Sequence, residues 1–428
     1  MLDTLFKQSF RKFRRKRVKG LTLICLLYVL CGPPMFKKVD YGDGILHSTF
    51  AAGWLSIARR SSNKATLRQY LEQHCSHLQQ PYDTLLDPLL EHWNATGFGL
   101  DALEHTSGER VYIYNDRISL SESTGWARTI PTFVSYLRHI HNLAHLPNMV
   151  LPLNPADEPL AAIKDGEQPR PLLAFCKTPQ FSDVLIPNTA EGDSAEISKF
   201  GLKFGVLAYV LTYAAGDVYS RPNRARGDRL RILSGPHDTR KAAIVWRGTT
   251  GGFGGLKKGR HIVLELGLKR PDLIDSGVSD WNVDHYGPDR GKLKPYMSMR
   301  DQVTRYKYQA WLPGNCASIR LALQLAADAA VFKVEHEDME WYYPMLQPYV
   351  HYIPIIANET FTNLLDQLHW AETHPGAVRA IVTKANMFAR SYLSALGRDC
   401  YTMQLLERYA ALTIEELAQP RNVVSPPW

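Results

Sequence analysis

The chain is 428 residues long, with 45% apolar and 21% charged residues. That globular balance excludes a disordered tail, a collagen and a polytopic membrane protein, and the length suggests two domains of ordinary size. The net charge of +8 sits almost wholly in residues 1–19: eight of the 50 Lys and Arg and one of the 42 Asp and Glu fall there, leaving 42 basic against 41 acidic side chains in the rest. A near-neutral body gives no footing to nucleic-acid binding, and no nucleic-acid partner is expected.

The basic segment 1–19 reads as a cytosolic tail, followed by the uncharged stretch Gly20–Phe36. As a helix these 17 residues span roughly 25 Å, the short end of what crosses a bilayer. Positive charge ahead of the run holds the tail in the cytosol. The segment therefore predicts a single-pass signal-anchor helix with the body in the lumen. A cleaved signal peptide is the alternative, because the apolar core Leu21–Cys31 is short. Asn94-Ala-Thr96 and Asn358-Glu-Thr360 are glycosylation acceptor sequences. The four cysteines beyond the apolar run, Cys75, Cys176, Cys316 and Cys400, admit two disulfides in three pairings, or four buried thiols. A short anchor and a final Pro426-Pro427-Trp428, in place of a lumenal retrieval signal, predict a type II Golgi membrane protein, with the endoplasmic reticulum or secretion as alternatives.

Residues 37–90 read as a stem and first packing helices, with Leu67–Gln79 periodic. Residues 91–215 form a first domain: strands at Val111–Tyr114 and Met149–Leu153, a helix over Trp126–Leu146, a Pro-rich loop at 155–171 and a buried apolar helix at Phe200–Gly216. Residues 216–375 form a second. Ala242–Trp246 is a strand running into the glycine-rich loop Arg247–Gly255, Ala317–Ala327 is a helix, Ala329–Val334 a strand and Phe361–Glu372 a helix. Residues 376–428 supply C-terminal helices, beginning with Gly376–Leu396. Strands alternating with helices in both halves predict an α/β protein of two Rossmann-like domains facing a cleft, with ligands at the carboxyl ends of the strands.

Three constellations bear chemistry. The strand–Arg–glycine loop at 242–255 lets backbone N–H groups approach a phosphate where no Cβ intervenes, with Thr249, Thr250, Lys257, Lys258 and Arg260 as further donors; a plain surface hairpin is the other reading. In Gly314-Asn-Cys-Ala-Ser-Ile-Arg320, Ser318 and Arg320 fall in the first turn of a helix, where N–H groups attract a diphosphate and Arg320 meets it with two hydrogen bonds; a capped helix with a surface Arg is the alternative. Asp157, just past a strand, suits a general base at a cleft edge or a turn residue. His141 and His145 share a helix face that His139 does not, which fits a wet helix face better than zinc. The sequence holds no Asp-x-Asp triplet to bind a divalent metal, and neither a G-x-S-x-G elbow nor an H-E-x-x-H.

Val245-Trp-Arg-Gly-Thr-Thr-Gly-Gly252, Tyr306-Lys-Tyr-Gln309, Gly314-Asn-x-x-Ser-x-Arg320, Phe332-Lys333 and Trp341-Tyr-Tyr-Pro-x-Leu-x-Pro-Tyr-Val-His-Tyr-Ile-Pro354 follow one another in the order that resembles glycosyltransferase family 90, which includes protein O-glucosyltransferases and fungal capsule-associated xylosyltransferases. The strong resemblance covers about residues 240–395. It implies a GT-B fold, a UDP-sugar donor, no metal or other cofactor, and an inverting transfer of xylose or glucose to a hydroxyl of a glycan or protein. By that resemblance Thr249 and Arg260 contact UDP, Asn315, Cys316, Ala317, Ser318, Ile319 and Arg320 form the diphosphate-binding loop, and Asp157 is the catalytic base. Where the family often has Asp-Gly, this chain has Leu312-Pro-Gly314. A degenerate, membrane-tethered binding protein on the same scaffold is the alternative function. Trp341–Pro354 reads as core packing between domains.

Overall fold

Two β-sheets organise the protein. The computed structural model describes residues 64–104, 109–121, 129–156, 158–187, 239–248, 259–278, 293–297, 299–314, 316, 318, 320–358, 360–415, 417, 419–420 and 423–425, all within one unit spanning Ala51–Trp428. The expected anchor Gly20–Phe36 and the apolar helix Phe200–Gly216 lie outside the described residues, among which no helix is long and apolar enough to cross a membrane.

The chain enters through helices α1 (Lys64–Cys75), α2 (Gln79–Leu90) and α3 (Leu100–Glu104). The first two run on from one another through a short 3-10 turn and bury Leu71, Leu78, Tyr82, Leu86 and Leu90. Strands β1 (Glu109–Tyr114) and β2 (Arg117–Ser121) make an antiparallel hairpin. Its two-residue turn places Asn115 at φ 48 and Asp116 at φ 62, the left-handed pair that matches strand twist and that Asn and Asp tolerate well. Helix α4 (Thr129–Ala144), predicted from its period, leads to β3 (Met149–Leu153), all five residues of which are buried. The two-residue strands β4 (Leu173–Ala174) and β5 (Val184–Leu185) follow. Strand β3 is antiparallel to β1 and parallel to β4, and β4 is parallel to β5. The first sheet is therefore mixed, where alternating strands and helices predicted a parallel one. The local Asn-Asp turn closes a hairpin before any crossover helix can intervene.

The second sheet is all parallel. Strand β6 (Lys241–Gly248), helix α5 (His261–Lys269), β7 (Ile274–Val278), helix α6 (Met299–Arg305), β8 (Tyr306–Trp311), helix α7 (Arg320–Leu325), β9 (Ala330–Val334) and β10 (Ile353–Ile355) give the spatial order β7-β6-β8-β9-β10. The predicted strand at 242–246 continues through Arg247 and Gly248, so these two are sheet residues and not loop. Helix α7 has six residues in place of the eleven expected from Ala317–Ala327; Cys316 and Ser318 lie outside it. Helices α8 (Leu364–Thr373), α9 (Pro375–Phe388) and α10 (Ala395–Ala411) follow, and β11 (Val423–Val424) pairs with β2 at the edge of the first sheet.

Helix α10 locks the fold together. From it Tyr401 donates to the Leu185 carbonyl at 2.8 Å and Tyr409 to the Pro171 carbonyl at 2.7 Å, while Tyr82 of α2 donates to the Gly397 carbonyl at 2.8 Å. All three tyrosines are fully buried, so each hydroxyl needs its partner. The Tyr401 ring also packs on Trp341, centroids 4.4 Å apart, which agrees with the expectation that Trp341–Pro354 is packing material. The open pairing question resolves into Cys75–Cys400 and Cys176–Cys316. The first closes a span of 325 residues. Cys400→Ser should lower the unfolding free energy by about 2–5 kcal/mol, read as a lower urea midpoint, and the deficit should vanish when both proteins are compared fully reduced.

Candidate active site

In the order β7-β6-β8, the chain leaves β6 toward one side and reaches β8 on the other. The carboxyl ends of β6 and β8 therefore flank the point where connections diverge, the place where open α/β sheets leave a crevice for ligands. Beyond β6, residues 249–258 lie outside the described residues, and the chain is next seen at Gly259 and Arg260. Gly259 has φ +85, and a Cβ there would come within 2.3 Å of Phe361 Cζ, so glycine is required for the backbone to pass this ring and enter α5. Arg260 then reaches across to β8: its Nε donates to the Pro313 carbonyl at 3.1 Å. Burial lowers the pKa of its guanidinium. A cation so short of water gains much from an anion beside it.

The loop after β8 carries the second group. Cys316 is bonded to Cys176, just past β4 of the first sheet, with Cα atoms 6.1 Å apart. Next to this bridge, Lys177 and Met339 exchange backbone hydrogen bonds of 3.0 and 2.8 Å. The Ser318 N–H donates to Glu340 Oε1 at 2.8 Å. Arg320, first residue of α7, donates from Nη1 to the Arg247 carbonyl at the end of β6. Arg260 thus runs from the β6 side to the β8 loop and Arg320 from the β8 loop to β6. Two cations cross-brace one crevice edge. The sequence reading gave the Ser318 N–H to a diphosphate; here it is spent on Glu340, and a six-residue helix adds little dipole of its own.

Of the residues singled out from sequence, Arg260, Cys316, Ser318 and Arg320 meet at these strand ends, while Asp157, Thr249, Asn315, Ala317 and Ile319 lie outside the described residues. The flanks of Asp157 are pinned. Asn154 Oδ1 accepts from the Ala156 N–H at 2.9 Å, and its Nδ2 donates to the Glu158 carbonyl at 2.7 Å. Buried Asp183 accepts from the N–H groups of Leu160 and Ala161 at 3.2 and 2.8 Å; burial raises its pKa against the pull of those bonds. The histidines go elsewhere: His139 pairs with buried Asp399 at 2.9 Å, and His141 and His145 both approach Asp116 of the hairpin turn, at 3.3 and 3.5 Å. Among the described residues no group of three or more His, Cys, Asp or Glu is placed to hold a metal ion.

Three side chains escaped the sequence reading. Asp275 on β7 receives Arg247 at 2.9 Å, Lys294 at 2.6 Å and the Tyr306 hydroxyl. Burial alone would raise its pKa, but bonds from Lys294 and Tyr306 and the Arg247 charge outweigh burial and hold it at about 2. Burial and the bond to Asp275 push Tyr306 up to about 12. The Arg247 guanidinium also donates to the Trp246 and Asp275 carbonyls, and its own carbonyl accepts from Arg320. Glu340, 1% exposed, is the second. Lys333 is the third: its Nζ sits 5.2, 5.7 and 4.9 Å from the ring centroids of Trp311, Tyr343 and Tyr352, with Glu335 at 3.4 Å. Burial lowers its pKa, and the rings compensate the cation where water does not. An acid directly before Trp341-Tyr-Tyr and a lysine inside an apolar strand are the signals available in the sequence.

Residues 232–425 match the family described as Glycosyl transferase family 90. Over that region the chain is similar to glycosyl transferase family 90. Similar curated proteins include Protein O-glucosyltransferase 2 of Danio rerio, 26% identical over 285 residues covering 65% of this chain and 51% of that protein. The O-glucosyltransferase rumi homolog of Aedes aegypti is 25% identical over 286 residues, 66% of each. Uncharacterized protein 035R of Invertebrate iridescent virus 3 is 27% identical over 258 residues, 56% of this chain and 21% of that one. The chain thus spans about half the length of the Danio rerio relative. The family 90 match takes in the whole parallel sheet with Arg260 and Arg320.

The Asp275 cluster fixes a pH dependence. Its carboxylate titrates at about 2 when folded and near 4 when unfolded, so acid protonates the unfolded chain first and stability falls as pH drops through that window. The stability advantage of the natural protein over Asp275→Asn should be constant from neutrality to about pH 4 and shrink toward pH 2. Urea midpoints of both proteins across that range test it, and a gap that does not change with pH counts against the assignment.

Proposed function

We propose that this family 90-like protein is an inverting glycosyltransferase that moves a sugar from a UDP-sugar to a hydroxyl of a glycan or protein. The observation that carries the reading is the convergence of Arg260 and Arg320 on the carboxyl ends of β6 and β8. A nucleotide-sugar needs charge neutralisation at its diphosphate, above all as the leaving group departs, and two guanidinium groups at a crevice supply it. In this reading the two sheets belong to the two Rossmann-like domains of a GT-B enzyme. Glucose is favoured by the relatives named O-glucosyltransferases, with xylose the other candidate from the sequence resemblance. No metal is assigned to the reaction: the arginines take the part that a cation plays elsewhere.

Asp157 is the proposed base. Its oxygen takes the proton of the acceptor hydroxyl as that oxygen bonds to the anomeric carbon. The bond from that carbon to the diphosphate breaks on the opposite face, and the sugar leaves with inverted configuration. Pinning of Ala156, Glu158, Leu160 and Ala161 by Asn154 and Asp183 supports this role, because a base must hold its position against a moving substrate. Thr249 is assigned to the donor beside Arg260, and Asn315, Ala317 and Ile319 complete the diphosphate loop with Cys316, Ser318 and Arg320. Two disulfides support an oxidising compartment. The proposal places the protein in the Golgi, held by Gly20–Phe36 with its body in the lumen.

Arg320→Ala and Arg260→Ala should each weaken UDP binding by about 10- to 100-fold, since a hydrogen bond to a charged group is worth about 1.5–3 kcal/mol. Calorimetry with UDP measures this, and unchanged affinity in both variants removes the donor site from these strand ends. Asp157→Asn should abolish transfer from radiolabelled UDP-glucose or UDP-xylose while UDP affinity stays within about threefold of the natural protein. Loss of both properties together, or of neither, would displace Asp157 as the base.

A further inference from the structure

Glu340 is 1% exposed and lies between Trp341, on one side in sequence, and Met339, whose backbone pairs with Lys177. One of its oxygens, Oε1, accepts two hydrogen bonds: 2.8 Å from the Ser318 N–H and 2.7 Å from the Tyr343 hydroxyl. A carboxylate taken out of water is costly unless such bonds repay it. The aromatic surroundings of this position would accept an apolar side chain more cheaply, so stability of the core does not account for an acid there.

What the acid does is set by the loop it grips. Cys316 and Ser318 are not helical, α7 spans Arg320–Leu325, and the Leu321 N–H reaches the Ser318 carbonyl at 3.2 Å. A helix of six residues cannot sustain its own start, and the N–H groups at a helix entrance have no partner within it. Glu340 supplies a partner of this kind to the Ser318 N–H from another segment. The Cys176–Cys316 bridge restrains the same loop two residues earlier.

We propose that Glu340 is a positioning residue for the donor site: its buried oxygen holds the Ser318 backbone and Tyr343 so that Arg320 is presented to the diphosphate at the ends of β6 and β8. This inference rests on the reading of 316–320 as the diphosphate loop. Its consequence is that donor affinity depends on an acceptor oxygen that never touches the donor.

Calorimetry with UDP on the full chain tests it with Glu340→Ala, Glu340→Gln and Tyr343→Phe, each checked for cooperative thermal unfolding. Glu340→Ala should bind UDP at least about tenfold more weakly, and Glu340→Gln, which keeps an oxygen able to accept both bonds, should recover to within about threefold of the natural protein. Tyr343→Phe, with the ring retained, should lose about three- to tenfold and decides the matter if Glu340→Ala does not fold. A folded Glu340→Ala within about twofold of the natural protein overturns the inference, as does a Glu340→Gln no better than Glu340→Ala, or a Tyr343→Phe with unchanged affinity. Failure of the natural protein itself to bind UDP is a different result: it removes the donor reading beneath the inference.

Discussion

In a parallel sheet the strands all point one way, so every connection must cross back over a face. Where successive connections turn to opposite sides, no chain covers the gap between the two strand ends. In this protein that gap opens between β6 and β8. Its position does not depend on the identity of any one side chain; it follows from the order β7-β6-β8-β9-β10. The residues then add what backbone cannot: Arg260 and Arg320 bring positive charge to the rim, each leaning on a carbonyl supplied by the opposite strand end. Asp275 pairs with the Arg247 guanidinium, while the Arg247 backbone carbonyl serves as one of those supports.

Around that gap the two sheets are not independent. The loop after β8 is tied to the segment after β4 by a disulfide, and the segment after β9 is tied to the same place by the paired backbones of Lys177 and Met339. Lys333 faces the rings of Trp311, Tyr343 and Tyr352, and the Tyr343 hydroxyl in turn donates to Glu340. A single locality therefore gathers pieces of chain from near residues 176, 316, 333 and 340. Pre-organisation of this kind means that the ordering cost of the loop is met during folding and not during ligand capture.

Much of this was legible in the residues before any coordinates. The period of α4, the apolar run of β3 and the strand that becomes β6 all declare themselves, because a buried face imposes its spacing on the sequence. Of the motif at 314–320 and its companion cation, Cys316, Ser318, Arg320 and Arg260 lie near the carboxyl ends of β6 and β8. What stayed hidden was of another kind. The Asn115-Asp116 turn was overlooked, and with it the hairpin that makes the first sheet mixed. The start of α7 falls later than its pattern suggests, in a loop whose Ser318 and Cys316 bind Glu340 and Cys176, far off in sequence. Asp275 looked like any strand-end acid, since its three partners come from β6, β8 and residue 294. Spacing along a chain reports on neighbours in one element; it carries no record of contacts made across the fold.

Strand β11 has a bearing on how the molecule is made. The sheet it completes is begun by β1 and β2, roughly three hundred residues earlier, and its partner β2 offers an open edge until Val423 and Val424 arrive. The first half of the polypeptide is synthesised well before the residues that seal it, and so is Cys75, whose mate is Cys400. Such long-range closure slows folding and leaves adhesive surface on display in the interval. Nascent chains of this protein will depend on chaperones and disulfide-exchange catalysts until translation is nearly finished, and premature stop codons even shortly before Val423 will yield polypeptides with an uncapped, aggregation-prone sheet.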